Sequence, residues 1–222
     1  IETPSNPMMQ ISDIAALSAL AHENGALLAV DNTFLSPHFQ KPLTLGADIV
    51  LHSGTKYLCG HNDVIAGFLV LKDATSAQAK RIELLAKSAG PNLSALDSWL
   101  MLRSIKTLGV RVERQAESAL VIAEWLRTLP EVTEVYYAGL PDHPQYALQK
   151  SQSTGFGAMI SFKVKTAEIA QNVLAHLRLI AFAESLGGVE SLLTYPIVQT
   201  HAEMPQDLIK RTGLDDRLLR LS

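Results

Sequence analysis

At 222 residues the chain has room for one or two domains with a sizeable core. Hydrophobic residues at 47% against 18% charged exclude a disordered chain, and a net charge of −3 gives no electrostatic case for nucleic acid or an anionic membrane as partner. The one cysteine, Cys59, excludes an internal disulfide and fits a reducing, cytoplasmic compartment, and no apolar run reaches the roughly 18 residues of a membrane helix.

The chain opens on Ile1 and closes on Leu219-Arg-Leu-Ser222, inside an apolar strand-like run, so a segment of a longer protein is expected. Residues 1–7 read as a loop, because Pro4 and Pro7 forbid helix and push their predecessors to extended backbone. Ser12 or Asp13 then caps a helix carrying Ile14, Leu17 and Ala21 at helical spacing, and Asn24-Gly25 stops it. Residues 26–30 are continuously apolar, as a strand buried on both faces of a parallel sheet should be, and Asp31-Asn32-Thr33 follows at once. A second short strand, 49–51, runs into His52-Ser-Gly-Thr-Lys56, and 64–71 reads as a third. Helical pattern covers about 76–129, broken at Pro91-Asn92 with a bend expected at Gly109. Ala119, Leu120, Ala123 and Leu126 form one apolar stripe. After Pro130 come a strand at 132–137, turns across 139–155, an alternating strand at 158–164 and an amphipathic helix at 167–180. The change of register places a domain boundary near residue 112, dividing 1–112 from a smaller α/β unit, 113–222.

The strongest chemical signal is positional. In open α/β sheets ligands bind beyond the carboxyl ends of the strands. Two consecutive buried strands end here in Asp31 and in Ser53-x-Thr55-Lys56, so an acid and an amine share one rim. A solvated salt bridge is the plain alternative. A lysine at the dry end of a strand loses its proton more readily, and a neutral amine is what Schiff-base chemistry needs. A nearby carboxylate suits the pyridinium nitrogen of pyridoxal phosphate, and Ser53 and Thr55 offer hydroxyls to its phosphate.

These residues also carry a resemblance. Glu2-Thr-Pro-Ser-Asn-Pro7, Val30-Asp-Asn-Thr-Phe34, His52-Ser-Gly-Thr-Lys-Tyr57 with Gly60-His61-x-Asp63, Glu184-Ser-Leu-Gly-Gly188 and Leu219-Arg-Leu-Ser222 occur in order over nearly the whole chain. Together they resemble the Cys/Met-metabolism family of pyridoxal-phosphate enzymes, which includes cystathionine γ-synthase and the cystathionine β- and γ-lyases. The resemblance implies an α/β fold of the aspartate-aminotransferase type (fold type I), incomplete at both ends, with a smaller C-terminal α/β domain. It implies Lys56 as the catalytic lysine and Asp31 as the partner of the pyridine nitrogen, with Ser53 and Thr55 at the phosphate. Asn6 and Arg220 would hold the substrate α-carboxylate, with Glu184 and Ser185 at the edge that sets substrate and reaction preference. It further implies small amino-acid substrates and a homotetramer built of dimers. Members carry an earlier segment with a stacking tyrosine, a glycine-rich phosphate loop and a Tyr-x-Arg segment, none of which lies in 1–222. The stretch 182–196 with Gln199-Thr-His-Ala202 looks most like bacterial cystathionine γ-synthases, whereas 136–144 is shared with lyases. The expected reaction is therefore γ-replacement on an O-acylhomoserine by cysteine. The alternatives are β- or γ-lyase activity and an inert chain lacking half of the cofactor site.

The remaining candidates have plainer readings. His52 and His61 with Asp63 lack a usual zinc spacing, so structural hydrogen bonds and no metal are expected. Cys59 reads as packing, Gly187-Gly188 as a tight turn, and Trp99, Trp125 and 100–102 as core or interface. His201 either borders the site or is structural.

Overall fold

A computed structural model describes residues 1–222, apart from the side chains of residues 206 and 210. Helix α1 (Ile14–Glu23) starts where Asp13 accepts the Ala16 N–H at 2.9 Å, and ends at Asn24 and Gly25, whose φ of +66° only glycine adopts without cost. Strand β1 (Ala29–Asp31) is followed by the short helix α2 (Ser36–Phe39) and by β2 (Ile49–Ser53), which pairs with β1 in parallel. A single π-type turn over Gly54–Leu58 leads to β3 (Gly67–Leu71), antiparallel to β2. Parallel pairing of β1 and β2 sets Asp31 and Ser53 at the same rim, as the sequence implied.

The helical region divides twice. Helix α3 (Ala77–Ala89) ends at Gly90, α4 (Ala95–Ile105) is capped by Ser94, and α5 (Leu108–Leu126) follows a break at Lys106-Thr107. Gly109 lies inside α5 and makes no bend of its own; its bareness admits the His38 ring, which a Cβ would meet at 3.2 Å. Helix α5 passes residue 112 without interruption. Leu108 and Val112 enter one hydrophobic cluster, with Phe34, Tyr57 and Cys59, while Ala119, Ala123 and Leu126 enter a second, with Ile160, Phe162 and Leu219. Leu120 was expected on that stripe but is 37% exposed, because 119, 123 and 126 keep helical spacing on one face and 120 turns off it. Met101 is core, whereas Trp99, Trp125 and Leu102 stand on the surface.

The second sheet comprises β4 (Val132–Tyr136), β5 (Ile160–Val164), β6 (Ala181–Phe182), β7 (Leu192–Thr194) and β8 (Leu218–Leu221), in the order β4-β5-β8-β7-β6. Helices α6 (Tyr146–Gln152), α7 (Ala167–Ala175) and α8 (Gln206–Thr212) connect them. Strand β5 is buried at every residue rather than on alternate ones, since β4 and β8 flank it and α5 and α7 pack on it. The helix expected over 167–180 stops at Ala175, and 181–182 turns into β6. Strand β8, also wholly buried, lies between β5 and β7 and carries Arg220. Among the described residues no helix is long and apolar enough to cross a membrane.

Because Leu126 is buried where α5 meets the second sheet, Leu126→Ala should cost about 2–5 kcal/mol of stability. Urea unfolding reads this as a lower midpoint, and a loss below about 1 kcal/mol would show that the α5 face is not a packed contact.

Candidate active site

The two strand ends are tied before any side chain reaches outward. Asp31 Oδ1 accepts the Thr33 N–H at 2.9 Å, and Thr33 Oγ1 accepts the Ser53 N–H at 2.8 Å. This fixes the half-buried Asp31 carboxylate and the start of the Lys56 turn on one rim. Lys56 has φ −88° and ψ −124°, outside the helical region, and its side chain reaches the segment between β6 and β7. There Nζ donates to Ser185 Oγ at 2.9 Å. Burial pushes the Lys56 amine below the ordinary lysine range, the Arg220 charge pushes it further, and Glu184 opposes both.

Arg220 is the second anchor. It is 1% exposed, and its contacts are all neutral oxygens: Nη1 donates to Asn6 Oδ1 at 2.9 Å, and Nη2 to Ser185 O and Thr194 Oγ1, each at 3.1 Å. Its Nε has no partner, and among the described residues neither Arg220 nor Lys56 takes part in an ion pair. Burial pulls the Arg220 guanidinium below its ordinary range, opposed by Tyr57, Glu184 and Glu2, and its Nε leaves a donor for an incoming carboxylate. Asn6 is aimed by its own N–H, which donates to Glu2 Oε2 at 3.1 Å. The Glu2 carboxyl is pushed up by burial and by Asp31 nearby, against the Asn6 N–H and Arg220, which pull it down. A backbone bridge pairs Glu2 with Asp31, so an unbroken series of contacts runs from Lys56 through Ser185, Arg220, Asn6 and Glu2 to Asp31.

The other residues singled out in the sequence fall around this series. Ser53 stands at the rim and makes no side-chain hydrogen bond among the described residues. Thr55 Oγ1 is engaged with Ala66, accepting its N–H at 3.0 Å and donating to its carbonyl at 3.4 Å; the longer bond is the one a better acceptor would replace. Glu184 is exposed beside Lys56 and Arg220. Ser185 sits at φ +84°, a conformation that side chains other than glycine adopt at a cost, and it is held there by its bonds to Lys56 and Arg220. The tight turn at Gly187 follows, where a Cβ would meet the Tyr57 nitrogen at 2.8 Å. Burial lowers His201, a backbone bond to Asn6 opposes this, and Arg220 lowers it again, so His201 borders the site. Cys59 packs inside with Sγ donating to Asp63 Oδ1 at 3.0 Å, and His61 Nδ1 lies 2.7 Å from Cys59 O. The sequence reading missed Thr194 and Glu2. The signal for Thr194 was the pairing of Thr194 with Arg220 across β7 and β8, which requires the fold.

Comparison with known proteins then decides the family. Residues 1–222 match the family model described as Cys/Met metabolism PLP-dependent enzyme. The chain belongs to this family. It is 47% identical over 222 residues to a cystathionine β-lyase of Bacillus subtilis, covering all of this chain and 56% of the relative. Its structure superposes on a cystathionine γ-lyase of Lactobacillus plantarum complexed with L-serine (TM-score 0.95, 44% identity, 100% of this chain and 57% of that one). It is equally similar to a cystathionine γ-synthase of Xanthomonas oryzae pv. oryzae in complex with cystathionine (TM-score 0.94, 46% identity, 100% and 57%). The chain is thus of fold type I and spans a little over half the length of these relatives. The members of this family depend on pyridoxal phosphate, and the residues present fit it: a lowered lysine amine, a carboxylate on the same rim, and a buried cation with an unspent donor.

The shifts give a signed prediction. In the apoprotein the Lys56 amine should titrate below ordinary lysines; Arg220→Met removes a like charge and should raise it, and Glu184→Gln removes an opposite charge and should lower it. The pH dependence of Lys56 labelling by an amine-selective reagent, read by peptide mapping, measures all three. Equal midpoints would contradict the placement.

Proposed function

We propose that the protein makes or breaks the carbon–sulfur bond of cystathionine-type amino acids with pyridoxal phosphate. The observation that carries this reading is the Lys56 amine, lowered by burial and bonded to a hydroxyl, in one series of contacts with a buried Arg220 that forms no ion pair among the described residues. In this reading Lys56 Nζ holds the cofactor's aldehyde, Asp31 keeps a proton on its ring nitrogen, and Ser53 and Thr55 donate to its phosphate. Bound there, the cofactor supplies an electron sink for negative charge at the α-carbon. Arg220, with Asn6 beside it, grips the substrate α-carboxylate through two parallel donors. Lys56, neutral at a lower pH than most lysines, takes the α-proton and returns it at a neighbouring carbon. Ser185 parks the lysine amine between those events. The exposed Glu184 favours a further ammonium group at the mouth, the second one of cystathionine or that of an incoming cysteine.

Within this class, γ-replacement on an O-acylhomoserine by cysteine rests on the segments 182–196 and 199–202. A lyase reading rests on the curated relatives named β- and γ-lyases at 46–47% identity. The same proposal assigns 1–112 to the cofactor-binding domain and 113–222 to the smaller one. It also carries a cytoplasmic homotetramer of dimers, for which the exposed Leu96, Trp99 and Leu102 of α4 offer apolar surface.

The test is an assay of the complete protein with an O-acylhomoserine plus cysteine, against cystathionine alone. Thioether formation supports the synthase, and release of a thiol with a keto acid supports a lyase. No turnover of either by the cofactor-loaded protein would overturn the proposal. Lys56→Ala should abolish turnover, and Arg220→Lys, which loses the fork, should raise KM about 10- to 100-fold, the equivalent of about 1.5–3 kcal/mol for a hydrogen bond to a charged group.

A further inference from the structure

The turn that carries Lys56 does not satisfy its own backbone. It closes with Cys59 N–H donating to Gly54 O at 2.9 Å and Gly60 N–H to Lys56 O at 2.7 Å, and then stops. The next two carbonyls, of Tyr57 and Leu58, are met by Arg111 of α5. Its Nη1 donates to Tyr57 O at 2.8 Å and its Nη2 to Leu58 O at 3.4 Å and to Ser104 O at 3.2 Å, while Nε is held by Thr107 Oγ1 at 3.1 Å. Gly60 makes room for this. With φ at +71°, a Cβ there would stand 2.0 Å from Arg111 Nη1 and 2.5 Å from Cζ.

None of these partners is an anion, and among the described residues Arg111 joins no ion pair. Burial lowers its pKa, opposed by Cys59. A half-buried cation without a counter-ion is a poor device for stability, since desolvation is uncompensated. It is a good device for stiffness: an ionised donor binds a carbonyl about twice as strongly as a neutral one, and a planar fork fixes two carbonyls at once. Both carbonyls lie immediately after Lys56. On the other side of the turn, Ser185 receives Nζ, and Val189 N–H donates to Gly60 O at 2.9 Å.

We propose that Arg111 is a positioning residue for Lys56. It locks the peptide units that follow the lysine, so that Nζ faces Ser185 and the space beside Arg220. This rests on the reading of Lys56 given under the proposed function.

The test compares Arg111→Lys and Arg111→Gln with wild type in the complete, cofactor-loaded protein. Both lose the fork, so both should lower kcat about 10- to 100-fold with KM within about threefold. Both should also move the pH midpoint of the bound-cofactor absorbance by about half a unit or more. A purely structural role would lower the melting temperature and leave that midpoint in place. Folded variants with the wild-type midpoint and kcat would overturn the proposal, as would full recovery in Arg111→Lys, which would make charge rather than geometry the cause. Failure of both variants to fold would also overturn it, by making Arg111 a folding residue. A wild-type protein without cofactor absorbance or turnover would instead defeat the function reading. Labelling of Lys56 by an amine-selective reagent, wild type against Arg111→Gln, would then still decide this one: a changed labelling midpoint supports it and an unchanged one overturns it.

Discussion

A buried arginine that forms no ion pair among the described residues is the constraint on which the site depends. Arg220 projects from the central strand of the second sheet, and its charge cannot leave the interior without breaking β8. Burying a cation is costly unless its donors are satisfied. Here Nη1 and Nη2 are met by oxygens from three distant segments, at Asn6, Ser185 and Thr194, and Nε is not met. Each segment is therefore drawn to one point, yet the charge is not neutralised. That combination is what a carboxylate-binding arginine requires: geometry set in advance, with a donor left over.

The same convergence accounts for the lysine. Ser185, whose carbonyl serves Arg220, offers its hydroxyl to Lys56, so the two cations share one residue. Their mutual repulsion is part of what lowers the amine, after burial. Lys56 itself springs from the first sheet, and the Gly187 turn that follows Ser185 packs directly on Tyr57. Helix α5 spans both cores and sends Arg111 to the backbone just beyond the lysine. Fold and site are thus one arrangement: the sheets are joined where the chemistry is proposed.

What was legible in the sequence was what is local. Asp31 and Lys56 could be placed on one rim because each directly follows a buried strand, and parallel strands share a carboxyl edge. Ser12 or Asp13 at one end and Asn24-Gly25 at the other marked α1, because caps are chemistry of one or two residues, and the structure selects Asp13. The meeting of Asn6 with Arg220, 214 residues apart, was reachable only through resemblance, since no local pattern encodes it. The break before α5 went unseen because Lys106-Thr107 has neither glycine nor proline, and Gly109 drew attention instead. Arg111 was invisible for a related reason: its partners are backbone carbonyls, which every residue has. Leu120 was misplaced by reading an apolar run as a face, although one step along a helix turns a side chain away from its neighbour.

The central claim is that Lys56 is the amine that holds the cofactor. Its most direct measurement is borohydride reduction of the complete protein loaded with pyridoxal phosphate, followed by peptide mapping. The account predicts one pyridoxyl adduct, on Lys56. An adduct on another lysine, or none in protein shown to bind the cofactor, would contradict it.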